Sequence, residues 1–359
     1  MKKKNAVKIL ILTGLLMLFV SGCGKDSSME VTNGHIDVDT QALNVSAQGS
    51  EDISQEISME IVKPAEETDE VLADNGLLEE GLTDDDTEEV SEDALEDEAV
   101  EEVSYVEVTP GAVEPVALNG VWQYANYSKI GSGTAALYRA ASGRKNVVIG
   151  VNAGHGTKGG TSVKTYCHPD MTPKVTGGTT ASGSITAAAV SGGMSFADGA
   201  READVTLRMA QILRDKLLAK GYDVLMLRDG PDVQLDNIAR TVIANNTANC
   251  LISLHWDGDG LAYDKGCFYI STPDGIKNME PVASHWQMHE QLGQALIAGL
   301  GGAGCKINGG GKMAIDLTQT CYSTIPSIDI ELGNQASAHD DVTLSKLADG
   351  LVAGIGMLY

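Results

Sequence analysis

Short apolar runs alternate with amphipathic stretches through the C-terminal part of the chain. Buried strands are predicted for the apolar runs at 147–151, 222–227, 250–254, 266–270 and 327–332. A helix is predicted from residue 202, and its apolar residues recur at helical spacing at Val205, Met209, Ile212 and Leu213. Further helices are predicted at 235–243, 282–300 and 344–357. Strands separated by helices predict an α/β fold with a single, mostly parallel, twisted sheet and helices on both faces.

The charge is distributed very unevenly along the chain. Residues 24–115 carry 29 acidic residues against two basic ones, whereas residues 116–359 carry 21 acidic against 19 basic, so most of the net charge of −25 lies in the first segment. Such a segment buries too little apolar surface to fold, so we expect 23–115 to be a disordered acidic linker. The acidic charge also argues against a nucleic-acid partner.

The first 22 residues have the features of an export signal. Four lysines at positions 2, 3, 4 and 8 precede the apolar stretch 9–20, which is short for a membrane span. The residues Val20-Ser21-Gly22-Cys23 resemble the lipobox of bacterial lipoproteins. The resemblance implies cleavage before Cys23, lipidation of its sulfur, and anchoring on the extracytoplasmic face of the cell membrane. The alternative is an ordinary cleaved signal with an incidental cysteine.

The rest of the chain divides into a leading segment, 116–143, and a main domain, 144–359. A long stretch rich in glycine, threonine and serine, 157–200, interrupts the domain and is a candidate lid. Five cysteines follow Cys23, an odd number that leaves at least one thiol free, and Cys250 and Cys267 fall in apolar runs typical of the core. No CxxC pair is present, so a cysteine zinc site is not expected.

Four residues with metal-site chemistry lie where predicted strands or helices meet loops: His155, Glu202, His255 and Glu331. A catalytic zinc takes three protein ligands of histidine and carboxylate type and keeps a fourth position open for water. In an α/β sheet, ligand sites gather beyond the carboxyl ends of the strands. The two histidines are therefore expected at one edge of the sheet.

At these residues the sequence resembles the zinc-dependent N-acetylmuramoyl-L-alanine amidases of the type-3 family. The matching segments run in the family's order through residues 147–333 and do not include 24–115. They are Asn-Ala-Gly-His155-Gly, Glu202-Ala-Asp-Val-Thr-Leu, Gly221-Tyr-Asp-Val-Leu-Met-Leu-Arg228, Arg240 with Ala244-Asn245, Leu251-Ile-Ser-Leu-His255, and Pro326-Ser-Ile-Asp-Ile-Glu331-Leu-Gly.

The resemblance implies that His155, Glu202 and His255 bind Zn²⁺ and that Glu331 is the general base. Glu202 also has a plain alternative role, because an acidic residue in the first turn of a helix is favoured by the helix dipole. If it is not the ligand, the candidate substitutes are His168, Asp170, Asp198 and Asp204. Trp256-Asp257 after His255 departs from the family's pattern and affects the expected substrate contacts.

Two pairs of residues near these motifs have alternative roles. Arg228 and Arg240 either contact substrate carboxylates or brace loops. His285 and His289 have the i, i+4 spacing of a metal pair, but no HExxH motif is present, so a groove wall or surface face is expected.

The predicted function is hydrolysis of peptidoglycan at the amide between the lactyl group of N-acetylmuramic acid and L-alanine. Two alternatives remain from the sequence: a zinc carboxypeptidase or endopeptidase that acts on the stem peptide, and a wall-binding protein without activity on the same scaffold. The oligomeric state is not determined by the sequence.

Overall fold

A computed structural model describes residues 109–359 of the chain. The predicted signal segment, the predicted lipidation site Cys23 and the predicted linker up to residue 108 lie outside the described residues. Within the described part, no helix is both long and apolar enough to cross a membrane.

A central sheet of eight strands organises the domain. The strands are β1 (Val113–Ala117), β2 (Thr134–Tyr138), β3 (Val148–Ala153), β6 (Asp223–Met226), β7 (Cys250–Asp257), β8 (Cys267–Ser271), β9 (Ile307–Ala314) and β10 (Ser327–Asn334). Their order across the sheet is β1-β2-β6-β3-β7-β10-β8-β9. The central strands β6, β3, β7 and β10 are parallel neighbours, and β8 pairs in parallel with β9. The pairs β1–β2, β2–β6 and β10–β8 are antiparallel.

Helices cover both faces of this sheet, as the alternation of segments predicts. The helices are α1 (Glu202–Ala219), α2 (Asn237–Thr247), α3 (Val282–Gly302), α4 (Thr318–Tyr322) and α5 (Asp341–Ile355). Apolar residues of α1, α3 and α5 pack with one face of the sheet, among them Leu213, Leu296 and Leu351. Residues of α2 such as Ile243 pack against the other face, where α4 also lies. The predicted fold class is confirmed.

The first two strands lie before residue 144, where the sequence analysis places the start of the main domain. β1 begins at Val113, inside the predicted linker, and β2 lies inside the predicted leading segment. Both are strands of the central sheet, with β2 hydrogen-bonded to β6. The folded unit thus includes these strands, because the edge of β6 needs a partner for its backbone hydrogen bonds.

Part of the insertion 157–200 forms a small β-hairpin. Strands β4 (Lys164–Tyr166) and β5 (Thr186–Ala188) pair in antiparallel fashion as a separate two-stranded sheet. Phe196 is buried and belongs to the hydrophobic core that α1 and α5 also form. The insertion is therefore packed on the domain through its own core residue.

The five cysteines of the described part are all free thiols, and four of them are buried. Cys250 and Cys267 are core residues on β7 and β8, as their apolar surroundings in the sequence indicate.

Candidate active site

The carboxyl ends of β3 and β7 bring the two histidines together. β3 ends at Ala153, and the turn Gly154-His155-Gly156 follows it directly, whereas His255 lies within β7. A Cβ atom on Gly154 would overlap the His255 ring, so only glycine allows the two segments this close. The Nδ1 atom of His255 lies 3.1 Å from the Nε2 atom of His155.

Glu202, the first residue of α1, completes the cluster. Its Oε1 atom lies 2.8 Å from Nε2 of His155 and 3.2 Å from Nδ1 of His255. The carboxylate also accepts hydrogen bonds from the backbone N–H groups of Trp256 and Met194, at 3.0 and 2.9 Å. These donors belong to other segments, so the side chain faces the cluster rather than capping its own helix.

The three side chains match the requirements of a zinc ion. Tetrahedral zinc with bonds of about 2.0–2.1 Å places its ligand atoms roughly 3.3 Å apart. The three separations in this cluster, 2.8, 3.1 and 3.2 Å, are close to that value. Two histidine nitrogens and one carboxylate oxygen are also the ligand types that zinc prefers. The residues present therefore fit a zinc centre with an open fourth position.

The pKa shifts of the clustered side chains also indicate that the cluster needs positive charge. Burial alone would raise the pKa of Glu202, but hydrogen bonds and charges from both histidines hold it well below its usual value. Burial alone would lower the pKa of His255, but the hydrogen bond to Glu202 and the nearby acidic residues raise it to about 9. The cluster is thus stabilised by positive charge at its centre, which protons or a metal ion can supply.

The other ring nitrogen of His155 is held by the insertion. Its Nδ1 atom lies 3.0 Å from the backbone carbonyl oxygen of Ser191, so an N–H at Nδ1 donates there and leaves the lone pair of Nε2 facing the cluster. Both Ser191 and Met194, which contacts Glu202, lie between β5 and α1. The insertion therefore supports two of the three candidate ligands through its backbone, which sequence motifs do not reveal.

Glu331 lies on β10 beside His255. The two residues are register partners of the parallel pair β10–β7. One carboxylate oxygen, Oε2, is buried and has no hydrogen-bond partner among residues 109–359. Burial raises the pKa of Glu331 to about 8. A carboxyl group with such a pKa can both accept and return a proton near neutral pH.

A cavity of about 640 Å³ opens onto these four residues. Its walls come from the glycine- and threonine-rich part of the insertion, 177–180, from 191–194, and from the segment 315–319 that leads into α4. The volume is in the range of small-molecule binding sites. Most of the wall around the candidate metal centre is thus supplied by segments outside the family motifs.

Of the two roles that the sequence allows for Arg228 and Arg240, the structure favours the bracing of loops. Both side chains are buried, with 1 % and 0 % exposure. Arg228 donates to the carbonyl oxygens of Ala153 and Gly154, and Arg240 donates to the carbonyl oxygen of His155 at 2.8 Å. His155 has a positive φ of 65°, a conformation that is unfavourable for a non-glycine residue. The two guanidinium groups hold this turn in place.

None of the four candidate substitutes for Glu202 joins the cluster. His168 is fully buried and its Nε2 atom lies 2.9 Å from both carboxylate oxygens of Asp316. Asp198 pairs with His339, Asp204 pairs with Arg201, and Asp170 accepts from the Thr172 N–H group. Each of them is engaged elsewhere, which leaves Glu202 as the carboxylate that meets both histidines.

His285 and His289, the histidine pair on α3, do not share a metal site either. The Nδ1 atom of buried His289 accepts the Ser327 backbone N–H, whereas Nδ1 of His285 lies 2.6 Å from the carbonyl oxygen of Pro281. His289 is thus a core residue, contrary to the expected groove wall or surface face, because the inner face of α3 packs on β10.

Comparison with known proteins agrees with this site. The family Amidase_3, described as N-acetylmuramoyl-L-alanine amidase, matches residues 149–353, which is more than half of the chain and includes all four site residues. The chain belongs to the Amidase_3 family. No curated protein matched the sequence.

Solved structures of N-acetylmuramoyl-L-alanine amidases are similar to this chain, and the first of those that follow supports the fold. The N-acetylmuramyl-L-alanine amidase Ami1 of Mycobacterium smegmatis has 18% identity and a TM-score of 0.50, over 60% of this chain and 98% of its own. Ami1 of Mycobacterium abscessus has 21% identity and a TM-score of 0.47, over 59% of this chain and 98% of its own. An N-acetylmuramoyl-L-alanine amidase from Clostridium difficile 630 has 17% identity and a TM-score of 0.42, over 59% and 95%.

Proposed function

We propose that this chain hydrolyses the amide bond between the lactyl group of N-acetylmuramic acid and L-alanine of the peptidoglycan stem peptide, with zinc as cofactor. The observation that carries the proposal is the convergence of His155, Glu202 and His255 within 3.2 Å of one another, beside the half-buried Glu331. Membership of the Amidase_3 family supports the substrate class.

The site residues divide the chemistry between them. Zinc held by His155, Glu202 and His255 would polarise the scissile carbonyl and increase the acidity of water. Glu331 takes the proton of the attacking water on its carboxylate and returns it to the nitrogen of the leaving L-alanine. Desolvation of the Glu331 carboxyl raises its pKa in the metal-free site, which favours the protonated form that the second step requires.

The closed surroundings help Glu331 in this role. Its Oε2 atom has no partner in the described part of the chain, so no hydrogen bond has to be broken before it accepts a proton. The cavity walls, including 177–180 and 315–319, would exclude bulk water from the reacting groups when substrate is bound.

Product analysis on purified peptidoglycan tests the proposal. Digestion should release intact stem peptides with a new amino group on L-alanine and leave glycan strands with free lactyl carboxyl groups, both identified by mass spectrometry. Cleavage between two amino acids of the stem would instead show a zinc carboxypeptidase or endopeptidase. Binding to the wall without any new amino group would show a wall-binding protein and contradict the amidase assignment.

We further propose that the folded domain is tethered to the membrane. The proposal rests on the lipobox-like residues before Cys23 and on the acidic composition of residues 24–115. Two acyl chains on Cys23 would be enough for stable anchoring. A solvated acidic linker of this length would let the domain reach substrate at a distance from the membrane surface.

A further inference from the structure

A further carboxylate, that of Asp329, lines the same cavity as the candidate metal centre. Asp329 and Glu331 are two residues apart on β10, so both side chains point to the same face of the sheet. Asp329 is only 7 % exposed, and its Oδ1 atom has no hydrogen-bond partner among residues 109–359. An unpartnered carboxylate oxygen in such a position is unfavourable for stability and calls for a functional explanation.

The orientation of the His255 ring supplies this explanation. Its Nδ1 atom faces the other two candidate ligands, so a metal ion at the cluster would bind Nδ1. The proton of the neutral ring must then sit on Nε2. The Oδ2 atom of Asp329 lies 3.8 Å from this Nε2 atom, a distance slightly longer than a hydrogen bond.

A network of polar side chains from α2, β3 and β7 leads to the residue that faces Asp329 on the neighbouring strand. Arg240 donates to the Oδ1 atom of Asn152 at 3.0 Å, and the Nδ2 group of Asn152 donates to Ser253 at 3.1 Å. Ser253 is the register partner of Asp329 on the neighbouring strand. With Asp329, these residues span β3, β7 and β10, the three strands that also carry or precede His155, His255 and Glu331.

We propose that Asp329 is a positioning residue for the metal centre: its carboxylate accepts the Nε2–H group of His255 and thereby fixes the tautomer and the ring plane in which Nδ1 binds zinc. This inference rests on the proposed function. His155 has an equivalent support, since its Nδ1 atom lies 3.0 Å from the Ser191 carbonyl oxygen. Partners of this kind raise the basicity of histidine ligands and restrict their rotation.

Asp329 is not a ligand itself in this arrangement. It approaches His255 from the Nε2 side, whereas the candidate ligand atoms converge on the Nδ1 side of the ring. The position also explains why an acidic residue lies between Ile328 and Ile330, which both belong to the core on the opposite face.

Zinc affinity of the full chain tests the proposal without any activity assay. The variants are Asp329→Asn, which keeps an acceptor oxygen but loses the charge, and Asp329→Leu, which removes the acceptor. Competition with a chromophoric chelator should show a loss of zinc affinity of about 10- to 100-fold for Asp329→Leu and a smaller loss for Asp329→Asn. The Co²⁺-substituted variants should keep a four-coordinate absorption spectrum, since no ligand is removed.

Asp223→Asn is the matched control. Asp223 is equally buried on β6 and is bound by Arg139 and Arg144, outside the site. This control should lower the melting temperature and leave zinc affinity unchanged. Melting curves of the metal-free Asp329 variants, recorded in excess chelator, should show a cooperative transition and thus an intact fold.

Several outcomes would overturn the inference. Zinc affinity of Asp329→Leu within about threefold of wild type would show that His255 needs no such partner. A loss in Asp329→Asn as large as in His255→Ala, with a changed Co²⁺ coordination number, would make Asp329 a direct ligand instead. A wild-type chain that binds no zinc would refute the proposed function as well, whereas the first two outcomes leave it standing.

Discussion

At the scale of residues, the two carboxylates that the sequence singles out, Glu202 and Glu331, have opposite environments. Glu202 accepts hydrogen bonds from two backbone N–H groups and lies against both histidines, so its pKa is held far below the usual range. Glu331 is half-buried, its buried Oε2 atom has no hydrogen-bond partner among residues 109–359, and desolvation raises its pKa to about 8. Such a separation of pKa values is a common basis for separate roles, here ligand and proton carrier.

The variant Glu331→Gln tests the second of these roles. It removes the proton acceptor and keeps the shape of the side chain, so we expect unchanged zinc content and a loss of turnover of about 10²–10⁴-fold. Glu290→Gln is the control, because Glu290 is a buried glutamate on α3 that binds Tyr269 outside the cavity. Near-normal turnover of Glu331→Gln on muropeptides would place the base elsewhere.

The buried arginines act on the site through the backbone. Arg240 donates to Asn152, to the carbonyl oxygens of Ala153 and His155, and to Thr157. Arg240→Met would leave several of these acceptors unpaired, each at a cost of about 1–3 kcal/mol.

We therefore expect Arg240→Met to lower the free energy of unfolding by roughly 2–4 kcal/mol and to reduce zinc affinity, as measured by denaturant titration and chelator competition. Arg208→Ala is the control, since Arg208 is half-exposed and pairs with Asp341 on the surface. The control should stay within about 0.5 kcal/mol of wild type. An Arg240→Met protein with wild-type stability and zinc affinity would contradict the bracing role.

At the scale of elements, the apolar pattern predicted the strands and helices that build the centre of the fold. Six of the strands and helices that carry or flank the site follow directly from short apolar runs or from helical spacing: β3, α1, β6, α2, β7 and β10. The sequence did not predict β9, because its run of Gly309, Gly310 and Gly311 has low strand propensity. β9 exists because its backbone pairs with β8.

The contribution of the insertion to the site could not be predicted from the sequence either. Ser191 and Met194 act through a carbonyl oxygen and an N–H group that every residue possesses, so no residue type marks them. Asp329 is different. It lies two positions before Glu331 on the same face of a strand, so the alternation of side chains in a strand could have indicated from the sequence that the two carboxylates lie side by side.

A buried ion pair holds the insertion to the rest of the domain. The carboxylate of Asp316 lies 2.9 Å from Nε2 of His168 and accepts the backbone N–H of Val175 at 2.8 Å. Lys174 also contacts Asp316. Because the insertion supports His155 and Glu202, we expect Asp316→Asn to weaken both the packing of 157–200 and the activity.

Native-state proteolysis measures this effect. Loss of the charged partner should cost about 1–3 kcal/mol and increase cleavage within 157–200 about tenfold or more. Asp170→Asn is the control, since Asp170 is exposed and makes only a local turn with Thr172. Equal cleavage rates for wild type and Asp316→Asn would show that other contacts hold the insertion.

Lowering the pH should weaken the packing of 157–200 in the wild-type protein in the same way. Burial alone would raise the pKa of Asp316, but His168, Val175 and Lys174 hold it below the ordinary value of 3.8. A group whose pKa is lowered by folding contributes stability above its unfolded pKa, and this contribution is lost as the pH falls below that value. Protection of 157–200 should therefore decrease below about pH 4.

At the scale of the whole molecule, charge and chemistry are segregated along the chain. Residues 24–115 carry a net charge of −27, whereas residues 116–359 are nearly neutral at −2 and contain the whole candidate site. We therefore expect the anchor and linker to determine where the enzyme works and the folded domain to determine its rate.

Substitution of the predicted lipidation site tests this separation. Cys23→Ser should release the protein from membranes, because the acyl chains are the anchor we propose, and should leave the rate on soluble muropeptides unchanged. Fractionation after a high-salt wash, with Cys305→Ser as a control on a partly exposed cysteine of the folded domain, measures the first effect. Membrane retention of Cys23→Ser would reveal a different anchor.

The zinc content of the purified full chain tests the central claim most directly. Elemental analysis should find close to one zinc per chain in the wild type, because His155, Glu202 and His255 form a single three-ligand site. His155→Ala and His255→Ala should each lose most of that zinc while remaining folded. A full complement of zinc in both variants would contradict the site, and with it the proposed mechanism.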